Sequence, residues 1–266
     1  MDRFIRRFAV SGFALLLLAP TARAADDPLA RARLLYNQGD FIEAIDAAEL
    51  ARHVPSRADA ADLVAARAYL ERYRESSATD DLTNARDRLR RLDPQHLLPR
   101  ERIEYIVGLG ETLYFDQSYG AAATVFDSVL QGGDLTLAGA RDRVLDWWAD
   151  SVEHDARTRP EMDRRAVYQR IRDRMEEELA YQSSSTAAAY WLVAAARGHG
   201  DLQAAWDAAQ AAWVRAPLAA DKGVALRADV DRFVQLAIIP DRAKSSAQPP
   251  QTFQQEWERF KDRWKQ

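Results

Sequence analysis

This chain predicts an all-α repeat protein of about five helix-turn-helix pairs, and three observations carry that reading. Hydrophobic residues make up 47% of the 266, with only 11 Gly and 10 Pro, too few turn residues for a long β-protein. A short signature, Gly39-Asp40-Phe41-Ile42-Glu43-Ala44-Ile45 with Ala48, Ala51 and Pro55 beyond it, returns as Ser118-Tyr119-Gly120-Ala121-Ala122 with Phe126. It returns again as Gly200-Asp201-Leu202-Gln203-Ala204-Ala205 with Ala209, Ala212 and Pro217. The Ala that follows each inter-helix turn falls at Ala44, Ala85, Ala122, Ala166 and Ala205, in steps of 41, 37, 44 and 39 residues. Each part of the signature has a physical role. Gly39 takes the left-handed conformation that ends one helix, Asp40 is placed to cap the next, and the small Ala44 lets two helices approach.

The chain opens with Arg3, Arg6 and Arg7, an apolar run from Phe8 to Leu18, then Pro20 and Ala22-Arg23-Ala24. This is the pattern of a secretory signal peptide over 1–24, too short in its apolar part for a spanning anchor. Export to the periplasm or beyond is therefore expected, with a helical domain over 25–240. The first pair runs from Leu29 to Pro55. The second, over 58–94, carries Leu63, Ala66, Tyr69 and Leu70, then Leu82, Ala85, Leu89 and Leu92, with a loop-like stretch at Glu75–Asp80 between its helices. The third, over 101–131, places Gly110 in mid-helix, where Gly costs up to about 1 kcal/mol against Ala, so close approach of another helix is expected there. The fourth, over 137–181, has the stripe Leu145, Trp148 and Val152, a start at Pro160, and Ala166, Ile171, Met175 and Leu179 at helical spacing. Trp148 fits that stripe, and Trp147, about 100° away, lies at its edge. The fifth pair covers 185–217, and a helix over 221–238 reads as the cap that closes a stacked array.

Beyond Pro240 the residues 241–251 read as a linker. Phe253, Trp257, Phe260 and Trp264 follow at steps of 4, 3 and 4, the apolar stripe of an amphipathic helix over 252–266. Burying four aromatics offers roughly 6 to 12 kcal/mol, and ordering the backbone costs about 1 to 2 kcal/mol per residue. The helix therefore needs a receptor: a partner, a membrane surface, or this chain's own repeats.

Without the leader, 33 Lys and Arg face 40 Asp and Glu, a net charge of −7. A nucleic-acid binder draws its affinity from a basic face, so that class is set aside. With no Cys, disulfides and thiolate metal sites are excluded. His53, His96, His154 and His199 stand far apart, none at the spacing of a zinc helix motif. Phosphate-cradling loops and nucleophile elbows are missing, and Glu176-Glu177-Glu178 reads as a solvated helix face. No catalytic residue, cofactor or metal is expected. An acid pair assembled by folding is the one route left to an enzyme.

At 29–55, 101–131 and 185–217 the chain resembles tetratricopeptide repeat proteins. The resemblance is carried by Gly39, Phe41, Ala44, Ala48, Ala51 and Pro55; by Leu109, Gly110, Tyr119, Ala122 and Phe126; and by Gly200, Leu202, Ala205, Ala209, Ala212 and Pro217. The second and fourth pairs match only in core spacing. The family's period is about 34 residues, shorter than the steps here. The resemblance implies a right-handed α-solenoid whose first helices line a concave face that binds a protein or peptide, a scaffold that works without turnover. Carried onto this sequence, the face-lining positions are Arg33, Tyr36, Asn37, Glu111, Tyr114, Phe115, Tyr190 and Arg197. Phe253, Trp257, Phe260 and Trp264 are the partner-binding positions of the C-terminal helix if it docks elsewhere. The competing reading is that the tyrosines complete the core and the charges are solvated.

Overall fold

In a computed structural model, residues 27–132 and 140–265 are described, and the expected leader over 1–24 lies outside them. All regular structure among the described residues is helical. They form two compact units that divide between Ser151 and Val152.

The first unit contains α1 (Pro28–Gln38), α2 (Phe41–Arg52), α3 (Ala58–Ser76), α4 (Thr79–Arg91), α5 (Pro99–Phe115), α6 (Tyr119–Gln131) and most of α7 (Ala140–Ala156). Successive helices pack on one another from α1 through to α6, and the odd-numbered helices α1, α3 and α5 also adjoin in series. The signature works largely as its chemistry dictates. Asp27 accepts a hydrogen bond from the Leu29 amide at 3.0 Å, and Gly39 turns left-handed at φ 87°. Asp40 departs from expectation, since its side chain makes no capping hydrogen bond to α2. Ala32, Ala44, Ala48, Ala51, Ala65, Ala66, Ala85 and Ala122 are wholly excluded from solvent, so small side chains sit where helices meet. Gly110 meets the same demand in the extreme: a Cβ there would lie 2.5 Å from the Phe126 ring.

Of the loop expected over Glu75–Asp80, only Ser77 and Ala78 lie outside helix. Ser77, in the left-handed region at φ 57°, ends α3, and the Ser76 hydroxyl accepts from the Ala78 amide at 3.2 Å, so two residues join α3 to α4. The long repeat step is thus taken up by a longer helix. Between α2, α3 and α4, buried Asp62 is gripped by Arg52, Arg88 and Arg91 at 3.3, 2.8 and 3.1 Å. Burial nevertheless holds its carboxyl above the ordinary value, the guanidiniums of Arg91 and Arg52 opposing.

The second unit contains the end of α7, then α8 (Glu161–Tyr181), α9 (Thr186–His199), α10 (Leu202–Arg215), α11 (Val224–Phe233), α12 (Ile239–Ser246) and α13 (Pro250–Arg263). Ser185 and Asp201 cap α9 and α10 through the Ala188 and Ala204 amides at 3.1 and 2.9 Å, and Gly200 is left-handed at φ 94°. In the acidic run, Glu176 and Glu177 are exposed, whereas Glu178 is buried.

Pro240 does not begin a linker. A π-helical turn over Val234–Ile238 shifts the hydrogen-bond register, so Pro240 falls in the first turn of α12, where a missing N–H costs nothing. Helix continues to Ser246, and Ala247, left-handed at φ 55°, turns the chain into α13. That helix folds onto its own unit. Trp257 is fully buried, its ring 5.7 Å from both Trp206 and Trp213, and Phe253 and Phe260 are buried beside it. The Trp257 indole and the Lys261 ammonium both donate to Asp231 at 2.7 Å. The Arg242 guanidinium covers Trp206 and Phe253 at 4.3 and 4.8 Å.

Candidate partner-binding face

One face of the first unit collects charged and aromatic side chains from α1, α3, α5 and α7. Helical geometry places them together, since residues three or four apart share a side. From α1 come Arg33 and Tyr36, from α3 Arg67, Glu71 and Arg74, from α5 Glu101, Glu104, Glu111, Tyr114 and Phe115, and from α7 Arg143, Trp147 and Asp150.

The contacts run from helix to helix. Arg33 pairs with Glu101, and Arg67 pairs with Glu104 at 2.7 Å while lying 4.3 Å over the Tyr36 ring. The Tyr36 hydroxyl donates to Glu71 at 3.3 Å, and Glu71 also takes Arg74 of its own helix and Arg143 of α7, the latter at 3.4 Å. The Tyr114 hydroxyl donates to Asp150. Tyr114 and Phe115 meet the Trp147 ring edge-on at 4.6 and 5.5 Å, Tyr73 meets Phe115 at 4.8 Å, and Arg74 lies 5.8 Å over Trp147. These rings are half-buried. Trp148 is fully buried, as its place on the stripe implied.

Glu111 is the outlier. Its side chain is buried, three and four residues before Tyr114 and Phe115 on α5. Burial raises it to about 7, neighbouring Glu71 adds to the shift, and Arg74, Arg143 and Arg67 oppose it. Burial likewise pushes the Tyr36 phenol to about 12, and burial together with the Asp150 carboxylate pushes the Tyr114 phenol well above its ordinary range. Both tyrosines are neutral donors at any physiological pH.

The expected positions divide. Arg33, Tyr36, Glu111, Tyr114 and Phe115 belong to this face, and Asn37 is exposed at the end of α1. Tyr190 and Arg197 lie in the second unit and are engaged internally. The Tyr190 ring meets Phe233 at 5.7 Å, and Arg197 pairs with Asp241 at 2.8 Å while covering Phe233 at 5.7 Å. Of the C-terminal stripe, Phe253, Trp257 and Phe260 are buried, and Trp264 is left 42% exposed at the rim of a shallow hollow with Val214 and Phe260.

Sequence reasoning missed Arg67, Glu71, Arg74, Arg143, Trp147 and Asp150 as a group. They stand in the second and fourth pairs, where the repeat match is poorest. A readable signal was present: 67, 71, 74 and 143, 147, 150 share the steps of 4 and 3 that put side chains on one helical face.

Among the described residues no group of three His, Asp or Glu is placed to hold a metal ion, and no helix is long and apolar enough to cross a membrane. No family model matches the chain, and neither a curated protein nor a solved structure is significantly similar to it.

Proposed function

We propose that this chain is an exported helical-repeat scaffold of tetratricopeptide type, whose first helices form a concave groove that binds a protein or peptide within an envelope assembly. The observation that carries the reading is the face of α1, α3, α5 and α7, where the exposed Arg33 and Arg143 stand on the same face as the half-buried rings of Tyr114, Phe115 and Trp147. Arg and aromatic residues carry most of the energy of protein interfaces. The leader pattern supports export, and the buried α13 stripe moves the binding reading away from the C-terminal helix.

The test is in-cell crosslinking of the envelope fraction with the native chain and with a Tyr36→Ala, Tyr114→Ala double variant. A specific protein captured by the native chain and lost with the variant is expected. Equal capture by both refutes the groove. One observation favours a second reading: burial, with neighbouring Glu71 adding to it, raises the Glu111 carboxyl to about 7, the range an acid–base group uses. Chemical turnover of an envelope component that is lost in Glu111→Gln would establish it.

A further inference from the structure

Trp264 is the member of the C-terminal stripe that the second unit leaves in the open. Its amide donates to the Lys261 carbonyl at 3.0 Å, which carries the turn of α13 one residue on, and its ring stays 42% exposed four residues beyond buried Phe260. Opposite them α10 presents Asp207, Ala211 and Val214, at steps of 4 and 3 and so on one side of that helix. Trp206 and Trp213 of α10 both meet Trp257 of α13 at 5.7 Å, and helices that pack through rings stand further apart than helices that pack through Ala. A shallow hollow lies between the two helices, with Ala211, Val214, Phe260 and Trp264 as its apolar lining. Asp207, Gln210 and Arg215 complete it.

The polar members narrow the choice of occupant. Nη1 of Arg215 is shut off from solvent and has no hydrogen-bond partner among the described residues, so this guanidinium gains from an acceptor brought to it. Asp207 is exposed and accepts from the neutral Gln203 amide at 2.8 Å. On α13, Lys261 is paired with Asp231 and Glu258, Lys265 is paired with Asp262, and Arg263 lies 5.8 Å over the Phe260 ring. The hollow itself is therefore lined by one charge of each sign, eight residues apart on α10, or about 12 Å along its axis. A membrane-seeking surface would instead ring a broad apolar face with basic residues. An extended peptide would bring unpaired backbone donors to a surface whose described regular structure is all helical, with no strand edge to pair them. A helix satisfies its own backbone, and its residues i and i+7 lie about 11 Å apart on one side.

We propose that the hollow between α10 and α13 receives an amphipathic helix of a partner protein. An acid of that helix meets Arg215, a base seven residues away meets Asp207, and two apolar side chains between them settle against Val214, Phe260 and Trp264. Trp264 and Arg215 are the anchors, of the residue types that dominate interface energies. Phe253 and Trp257 take no part beyond holding α13 in place. This surface belongs wholly to the second unit and stands or falls independently of the face proposed on the first.

The test follows fluorescence anisotropy as the full chain is added to a labelled, blocked helical peptide of about 16 residues, long enough to hold a helix. The peptide is built on Ala and Gln and carries Glu, Leu, Leu and Arg at i, i+3, i+4 and i+7. One counterpart has Gln for both Leu, and another has Arg in place of the Glu. The native chain is expected to bind the Glu/Arg peptide about tenfold more tightly than either counterpart. Trp264→Gln, at an exposed position, is expected to weaken that binding about tenfold and to leave the thermal melt unchanged. Arg215→Glu is expected to reverse the order, preferring the Arg/Arg peptide. If that variant does not fold, Arg215→Gln takes its place and is expected to abolish the preference. The proposal is overturned if the Leu peptide binds no better than its Gln counterpart, or if the native chain and the Arg215 variant rank the charged peptides alike. Self-association of the native chain in sedimentation that is lost in Trp264→Gln would give the hollow to a second copy and overturn it. Flotation with phosphatidylglycerol vesicles that is lost in the same variant would give it to a membrane and overturn it equally.

Discussion

Glu111 and Gly110 are adjacent on α5 and set opposite demands. Glu111 is an acid whose folded value, about 7, lies above its ordinary 4.5. The folded chain therefore binds more protons than the unfolded chain between those values, and stability falls as pH rises through that window. The fall amounts to about 3 kcal/mol for the full shift. Glu111→Gln is expected to remove it, so that the pH 8 urea midpoint of the variant exceeds that of the native chain while the two differ little at pH 4.5. A native midpoint that stays level from pH 5 to 8 would show that the unfolded chain shares the shift. Gly110 fails for a steric reason instead. Gly110→Ala places a methyl 2.5 Å from the Phe126 ring, and overpacking of this kind costs about 1 to 3 kcal/mol. Thermal melts should show that loss even though Ala is the better helix former. The need for Gly110 was legible in sequence because Gly is expensive in a helix, whereas the burial of Glu111 was not, because it depends on how the neighbouring helices cover α5.

At the scale of elements, α13 shows what a sequence pattern can and cannot specify. Its aromatic stripe at 253, 257, 260 and 264 declared an amphipathic helix in need of a receptor, and that much was legible. The receptor was not. Trp206, Trp213 and Asp231 come from two other helices, and the approach depends on the π turn over Val234–Ile238, which redirects the chain at residues that read as a plain helix followed by a Pro stop. The same limit explains the loop at 75–80 and the linker at 241–251. Ser, Asp and Pro composition marks places where a helix can end, but left-handed Ser77 and Ala247 make the turn with fewer residues than composition suggests. Trp257→Ala should cost about 3 to 5 kcal/mol of the second unit's stability, from lost burial and from the lost indole hydrogen bond to Asp231, read as a lowered denaturant midpoint. Acid should weaken the same contact. Burial opposes ionisation of Asp231, but hydrogen bonds from Lys261 and Trp257 prevail and hold its carboxyl below the ordinary value. The stability it contributes is present above about pH 4 and lost as pH falls through the lowered value.

Across the whole chain, the proposed binding face and the terminal packing fall in different units. Repeat-built chains owe their stability to each element and its neighbours, so a lesion propagates only as far as shared contacts carry it. The Glu111 face rests on α1, α3, α5 and α7 of the first unit, whereas Trp257 rests on α10, α11 and α13 of the second. Hydrogen exchange separates these possibilities residue by residue. In Trp257→Ala, amides of α10 to α13 should lose protection by a factor that tracks the local destabilisation, while those of α1 to α6 should keep native rates. In Glu111→Gln at pH 8, the order should reverse, with protection gained in α3 and α5 and unchanged in α13. A uniform loss of protection along the chain in Trp257→Ala would mean that the two units unfold as one, and the substitution would then lower partner capture along with stability. Under the local outcome, Trp257→Ala leaves capture by the native face intact. It thereby separates the binding proposed for Tyr36 and Tyr114 from the packing of the C-terminal helix.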